Sequence, residues 1–459
     1  MTTITTDLPS TVDETLAACP QFRIVVIGKS GVGKSSLIKH IFNVSDEDIE
    51  ISHDRAGKAD ITYGHTSEKN IRFILHDSLG FEPGTEDNWK IVEKFLRQKS
   101  AASSPLQDRI HAIWLCIETP RTGSRLQETS DEKLLKLADT LNIPAIAVFT
   151  KYDILVNEHY QKAQEVSTSE SEIDRISEEN AGGYFNERIK DFQDSTQVPC
   201  VRVSTDDDYP EDERLESLKK LVDVTRQCLH PVERELWVLW ATAQQVSANQ
   251  KVLRSISEGS KKYWMNLGMS TAFDDHALIN CVARIHKDIL KVWNFNDPLN
   301  LLSGVDFFAQ MVQLVEPVLN EYEATIRFDD RLSHYSDIMA LARAVGSTFA
   351  QFMGAAGISI VAIKYLYGKY QRIPLTARYL GTYIVDLTLI LHQIFTHTLH
   401  MDPPRPVSVE IISGMVASHK DLHSKVIHQR VHAMTSGNVT AHFETEIADL
   451  IKEFLKIES

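Results

Sequence analysis

A chain of 459 residues is longer than one ordinary domain, so two or three folding units are the starting expectation. Its 43% hydrophobic and 24% charged residues are globular proportions, which exclude a disordered or fibrous chain. A formal net charge of −15 argues against a nucleic-acid partner, because a surface that neutralises phosphates carries a basic face.

The opening stretch "MTTITTDLPSTVDETLAACPQ" has neither the basic nor the apolar region of a signal peptide, and residues 1–20 read as a flexible tail. The five cysteines, Cys19, Cys116, Cys200, Cys228 and Cys281, form no C-x-x-C pair, which suits reduced thiols in the cytoplasm. "RIVVIG" is then continuously apolar and β-branched, the pattern of a central parallel strand. It runs into Gly28-Lys29-Ser30-Gly31-Val32-Gly33-Lys34-Ser35, which fits G-x-x-x-x-G-K-[ST], with Ser36 next.

That spacing has a physical purpose. Glycines permit backbone angles in which several N–H groups converge on one anion. Lys34 adds positive charge near the β- and γ-phosphates, and the Ser35 hydroxyl is a hard oxygen ligand suited to Mg²⁺. The helix that starts here points the positive end of its dipole at the same phosphates. A random chain of this length holds such a match only about 1–2% of the time, before a preceding strand and a following helix are demanded.

Three further strands carry polar residues at their C-terminal ends. "IRFILHDSLG" ends in Asp77-Ser78-Leu79-Gly80, where the aspartate suits water-mediated contact with Mg²⁺ and the Gly80 N–H suits the γ-phosphate. "IPAIAVFTKYD" ends in Thr150-Lys151-Tyr152-Asp153. Asp153 matches the two donors of guanine, N1–H and the exocyclic amine; adenine offers no such pair and leaves a buried carboxylate unpaired. Lys151 lays its stem along the base, and the backbone at Ser204 and Thr205, after "VPCVRVS", reaches the guanine oxygen. In this order the motifs converge on GTP/GDP with Mg²⁺.

The series GKSGVGKSS, DSLG, TKYD and a terminal VST resembles the G domain of translation-factor-class GTPases, in the broad Era- and septin-like group, over residues 21–228. The whole chain also resembles large fungal proteins that join such a domain to a helical C-terminal half. The resemblance implies an α/β P-loop fold, Rossmann-like with a mostly parallel sheet. Thr150 stands where many relatives carry Asn and keeps a side-chain oxygen; Ser30-Gly31 replace the Pro-Asn of potassium-activated relatives. Where many GTPases place a water-orienting glutamine after Gly80, this chain has Phe81 and then Glu82, which predicts slow hydrolysis stimulated by a homodimer across the nucleotide face or by an effector protein. The first switch loop falls in "ISHDRAGKADITYGHT", where Thr62, before Thr66, is the first candidate for Mg²⁺ and the γ-phosphate. Lys34, Gly80 and Thr62 are the candidate catalytic set. "EVSTSESEIDRISEEN" reads as a solvent-exposed helix or loop beside the base pocket.

After Cys228 the pattern turns to long amphipathic helices, placing a boundary at His230-Pro231 and an all-α domain over residues 229–459. An apolar helical hairpin is expected near 338–400. Its first arm, Ala344 to Ile363, is uncharged and near the ~20 residues that span a bilayer. The second carries Asp386, which costs at least ~2.5 kcal/mol at mid-bilayer. A buried hairpin is the preferred reading; membrane contact through residues 344–399, making the protein peripherally associated, is the alternative. The pairs His419/His423 and His428/His432 have zinc-ligand spacing, but the helix around them reads as a solvated face. Two functions follow: a GTP-hydrolysing conformational switch read by the helical half, or a GTP-dependent scaffold with negligible turnover. An ATP-using P-loop kinase is disfavoured by Asp153.

Overall fold

The computed structural model describes residues 11–44, 61–77, 86–100, 104–121, 129–229, 234–261, 278–319, 365–366, 374–399, 405–436 and 442–457. Two compact units emerge, one of Thr15–Ser247 and one of Met1–Glu14 with Ala248–Ser459.

In the first unit five strands form a parallel sheet: β1 (Phe22–Ile27), β2 (Phe73–Asp77), β3 (Ala112–Glu118), β4 (Ala145–Thr150) and β5 (Cys200–Arg202), in the order β2-β1-β3-β4-β5. The strands are apolar along their length because both faces are covered. One face joins Val25, Ile27, Ile113, Leu115 and Phe149 to Phe95, Leu134 and Phe185 in a single core. The other is aromatic: Trp114 lies against Phe42 and, edge to face, against Trp240. The strand order reverses between β1 and β3, the place where open α/β sheets receive ligands beyond the strands' carboxyl ends.

Eight helices of the described residues surround or precede this sheet: α1 (Thr11–Ala18), α2 (Lys34–Phe42), α3 (Glu86–Lys99), α4 (Thr129–Thr140), α5 (Tyr152–Ala163), α6 (Glu170–Thr196), α7 (Glu211–Leu229) and α8 (Arg234–Ala243). Three differ from the sequence expectation. Residues 11–18 form a helix where a flexible tail was expected, because Val12 is buried and Asp13 makes ion pairs with Arg284 and Lys291. The compact-unit division comes after Ser247, not at His230-Pro231. His230 and Pro231 lie outside the described residues; beyond them, Trp240 of α8 is buried and donates its indole N–H to the Val222 carbonyl at 2.9 Å, which keeps α8 with the first unit. The serine-rich acidic stretch 165–180 is largely exposed as expected, with Ile173 and Ser177 buried, but it leads into a longer helix, α6, whose later half packs into the core. Ala181, Phe185, Ile189 and Phe192 are buried, with Phe149 of β4 edge to face with both phenylalanines.

The second unit contains α9 (Ala248–Lys261), α10 (Leu278–Trp293), α11 (Val305–Val315), α12 (Pro374–Leu399), α13 (Val409–His419), α14 (Lys425–Thr435) and α15 (Phe443–Leu455). The 26-residue α12 is its centre, buried without interruption from Thr376 to Leu391 and packed by the other six helices. Gly381 lets it approach α15, since a Cβ there would lie 2.9 Å from the Phe443 ring. α12 is the expected second arm of the apolar hairpin; the first arm, 344–363, lies outside the described residues. Among the described residues no helix is long and apolar enough to cross a membrane.

Asp386, at the middle of α12, accepts hydrogen bonds from two histidines. His419 Nε2 lies 2.8 Å from Oδ1 and His428 Nε2 lies 2.8 Å from Oδ2. The two histidines therefore point at a carboxylate, and not with His423 and His432 toward a shared metal; no metal-binding cluster of three ligands occurs among the described residues. Nine positions apart, they would stand on opposite sides of a regular helix, roughly two and a half turns apart. A π-turn at Lys420–Ser424 joins α13 to α14 and slows the rotation, which brings both rings to the α12 side.

Candidate nucleotide site

The site is built at the carboxyl ends of β1, β2, β4 and β5. Between β1 and α2 the loop 28–33 turns on two glycines with left-handed backbone, Gly31 (φ 72°) and Gly33 (φ 99°). Gly28 has another constraint: a Cβ there would lie 2.4 Å from the Cys116 carbonyl oxygen of β3, so only glycine lets the loop leave the sheet here. Lys34 opens α2 and is buried, with Nζ donating to the carbonyls of Gly28 and Lys29, each at 3.0 Å. Ser35 and Ser36 follow in the first turn, half-buried, while Lys29 and Ser30 are exposed and Val32 is buried.

Thr150, the last residue of β4, reaches across to this loop. Its hydroxyl donates to the Val32 carbonyl at 2.5 Å and lies 3.2 Å from the Ile117 carbonyl. The Thr150 carbonyl in turn accepts from Thr119, from the backbone N–H at 2.9 Å and the hydroxyl at 2.7 Å. The Gly28–Ser35 loop and the Thr150–Asp153 segment are thus joined through one side chain. Lys151 follows with left-handed backbone (φ 56°, ψ 38°), a strained position for a residue with a side chain, and its ammonium lies 3.8 Å from Glu118. Asp153, in the first turn of α5, is buried, and its Oδ1 accepts from the Ser204 hydroxyl at 2.6 Å. Thr205 is half-buried beside it.

Asp77 closes β2 and is 5% exposed, at the sheet edge that also bears the loop. Its neighbour His76 was not singled out in the sequence, although a histidine inside an otherwise apolar strand was a visible signal. His76 Nδ1 donates to the Ile61 carbonyl at 2.8 Å and Nε2 accepts from Arg23 Nη1 at 2.8 Å. Burial pulls this imidazole down to about 4, with the Arg23 charge adding to the effect, so it is neutral near pH 7. The contact fixes Ile61, and hence Thr62 beside it, against β2; Thr62 itself is exposed in a turn, and Thr66 further on is exposed too. An antiparallel bridge between His65 and Leu75 extends the same attachment. Gly80, Phe81 and Glu82 lie outside the described residues.

Glycines shaped for a convergent loop, a lysine folded over it at a switch point of a parallel sheet, and an Asp–Ser pair beyond the next strands are the arrangement of a P-loop nucleotide-binding domain. The family comparison makes it a GTPase G domain over part of the chain. Residues 23–151 match the family described as 50S ribosome-binding GTPase, and residues 301–456 match a family described as a domain of unknown function (DUF8505). The chain is 26% identical to GTPase Der of Deinococcus deserti over 250 residues, 53% of this chain and 47% of that protein. It is 32% identical to tRNA modification GTPase MnmE of a Sulfurovum species over 130 residues, 28% of this chain and 25% of that protein. The chain therefore spans half or less of the length of these relatives. Among solved structures it is similar to a probable GTP-binding protein engB (13% identity, TM-score 0.28, 46% of this chain and 99% of that one). It is also similar to the bacterial selenocysteine-specific elongation factor EF-Sec (15% identity, TM-score 0.27, 46% of this chain and 29% of that one).

Proposed function

We propose that the protein binds guanine nucleotide with Mg²⁺ and hydrolyses GTP slowly, as a conformational switch whose state the helical domain reads. The observation that carries this reading is the Asp153–Ser204 pair, a buried carboxylate held in one orientation at the mouth of the sheet. Such a group selects a base that presents two adjacent donors, because a base without them leaves the carboxylate unsatisfied.

The loop's left-handed glycines fit a phosphate chain, since they turn backbone N–H groups inward where a Cβ would obstruct. In this reading Lys34 exchanges its contacts with the Gly28 and Lys29 carbonyls for phosphate oxygens, and the dipole of α2 adds to its field. Ser35, Asp77 and Thr62 are the residues suited to hold Mg²⁺, which neutralises charge on the phosphates when bound. Gly80 senses the γ-phosphate. Phe81, in place of a glutamine, leaves the attacking water without a polar guide in the chain's own sequence, which makes intrinsic turnover slow and calls for a group supplied by a facing copy or a partner.

Nucleotide binding and turnover measured with GTP and ATP, in Mg²⁺ and across protein concentrations, test the proposal. GTP-selective binding with slow hydrolysis that rises with concentration is the expected result. Equal binding of ATP would overturn the guanine assignment, and tight GTP binding with no turnover at any concentration would overturn the enzymatic part.

A further inference from the structure

We infer that the inserted helix α6 braces the base-binding corner, with Glu178 as the positioning residue that ties together the two segments meant to touch guanine; this rests on the guanine reading above. Glu178 Oε1 accepts from the Tyr152 hydroxyl and from Arg202 Nη2, each at 3.1 Å, and Oε2 accepts from the Tyr209 hydroxyl at 3.4 Å. These donors are placed tellingly. Tyr152 stands between Lys151 and Asp153, Arg202 ends β5 two residues before Ser204, and Tyr209 lies in the turn that follows Thr205. One carboxylate on α6 therefore links the segment that carries Asp153 to the segment that carries its partner Ser204.

The packing around this carboxylate is specific. The Arg202 guanidinium lies 4.2 Å above the Tyr152 ring, an arrangement in which the planar cation stacks on the aromatic face while hydrogen-bonding at its edge. Gly182, one turn beyond Glu178, faces the same cation: a Cβ there would meet Arg202 Nη1 at 3.0 Å and the Tyr152 hydroxyl at 3.7 Å. Glycine is unfavourable inside a helix, and here it leaves the space that Arg202 occupies. Burial first, then the Glu178 charge, raises the Tyr152 and Tyr209 phenols, which keeps both as donors. Glu178 acts on the nucleotide through Tyr152 and Arg202 and does not touch it. α6 is thereby a handle on nucleotide release: a shift of this helix loosens both walls of the base site together.

The test uses the full chain and reads the release rate of a fluorescent GDP analogue, with the preference for GDP over IDP, which lacks the exocyclic amine. Glu178→Ala and Gly182→Val are expected to speed release about tenfold, the loss of roughly one hydrogen bond to a charged group, and to narrow the GDP/IDP preference. Glu178→Gln, which keeps one acceptor oxygen, falls between, and Glu179→Ala, which removes only an exposed pair with Arg175, matches the unaltered protein. A merely structural role would lower the bound fraction without moving the rate or the preference of the molecules that still bind. Wild-type rate and preference in Glu178→Ala overturn the inference while the guanine reading stands. No guanine preference in the unaltered protein overturns both. If Glu178→Ala does not fold, Glu178→Gln decides on the same criterion.

Discussion

The Ser204 hydroxyl sits 2.6 Å from Asp153 Oδ1, so a residue after β5 orients the carboxylate that α5 presents. On the proposed reading, the pair makes guanine selectivity a property of two segments. Asp153→Asn replaces an acceptor with a donor and is expected to weaken GDP binding by roughly 100-fold or more, since two hydrogen bonds to a charged group are lost. It should favour xanthine nucleotides, whose carbonyl faces the new donor. Ser204→Ala removes only the orienting bond and should cost about tenfold. Competition binding with GDP, xanthosine diphosphate and ADP checks both.

Thr150 joins the two recognition motifs through its bond to the Val32 carbonyl. Thr150→Val keeps the shape and deletes the hydroxyl, leaving the buried Val32 carbonyl without this donor, at about 1–3 kcal/mol of stability. Phosphate affinity should fall with it, because Val32 lies inside the phosphate loop. Thermal unfolding and GDP titration of the variant report the two effects separately, and unchanged values in both would refute the coupling.

Acid should unfold the G domain ahead of the pH at which its carboxylates titrate. Burial depresses both His76 and His111 to about 4, from a usual value near 6.5. The unfolded chain therefore binds more protons between those limits, and stability falls as pH drops from about 6.5 to 4, by up to about 3 kcal/mol per histidine. Thermal midpoints measured across this window should decline steeply, and His76→Gln should flatten part of the slope. A midpoint constant down to pH 4.5 would contradict the burial of these rings.

In the helical domain Asp386 is the group to remove. Its carboxyl sits below the usual range because the two histidine bonds outweigh the burial that alone would raise it. Its contribution is present above about pH 4 and fades as pH falls through the lower folded value. Asp386→Ala leaves His419 and His428 facing no acceptor and should cost roughly 3–5 kcal/mol, Asp386→Asn less, because the amide oxygen still accepts one bond. Urea unfolding followed by helical signal ranks them; equal midpoints for all three proteins would show that the triad stabilises nothing.

The local geometry of the candidate site was largely legible in the sequence, because each motif is local. Gly28 to Ser36, Asp77 and Thr150 to Asp153 each end a strand, and a β-branched apolar run followed by glycine or an N-terminal helix turn specifies its own geometry over a few residues. Four of the five strands, their parallel class and the helical second half were readable for the same reason.

What the sequence could not supply was which distant residues share a volume. The partners of Asp386 lie 33 and 42 positions away and align only through a π-turn that leaves no periodicity signal. Trp240 reads as one more apolar residue until the aromatic face of the sheet is seen to need a cover, which moves the unit boundary beyond α8. The acidic opening of α6 is largely exposed and gives no local sign that its later half sets Phe185 and Phe192 against Phe149. The sequence alone thus determined the glycine-rich loop, the aspartate that follows β4 and the parallel α/β class, since these depend on neighbours along the chain. Only the tertiary structure decided the Glu178 brace, the Asp386 histidine pair and the extent of the first unit. Burial and hydrogen-bond satisfaction are set by residues brought together from far apart, and no local pattern records that meeting.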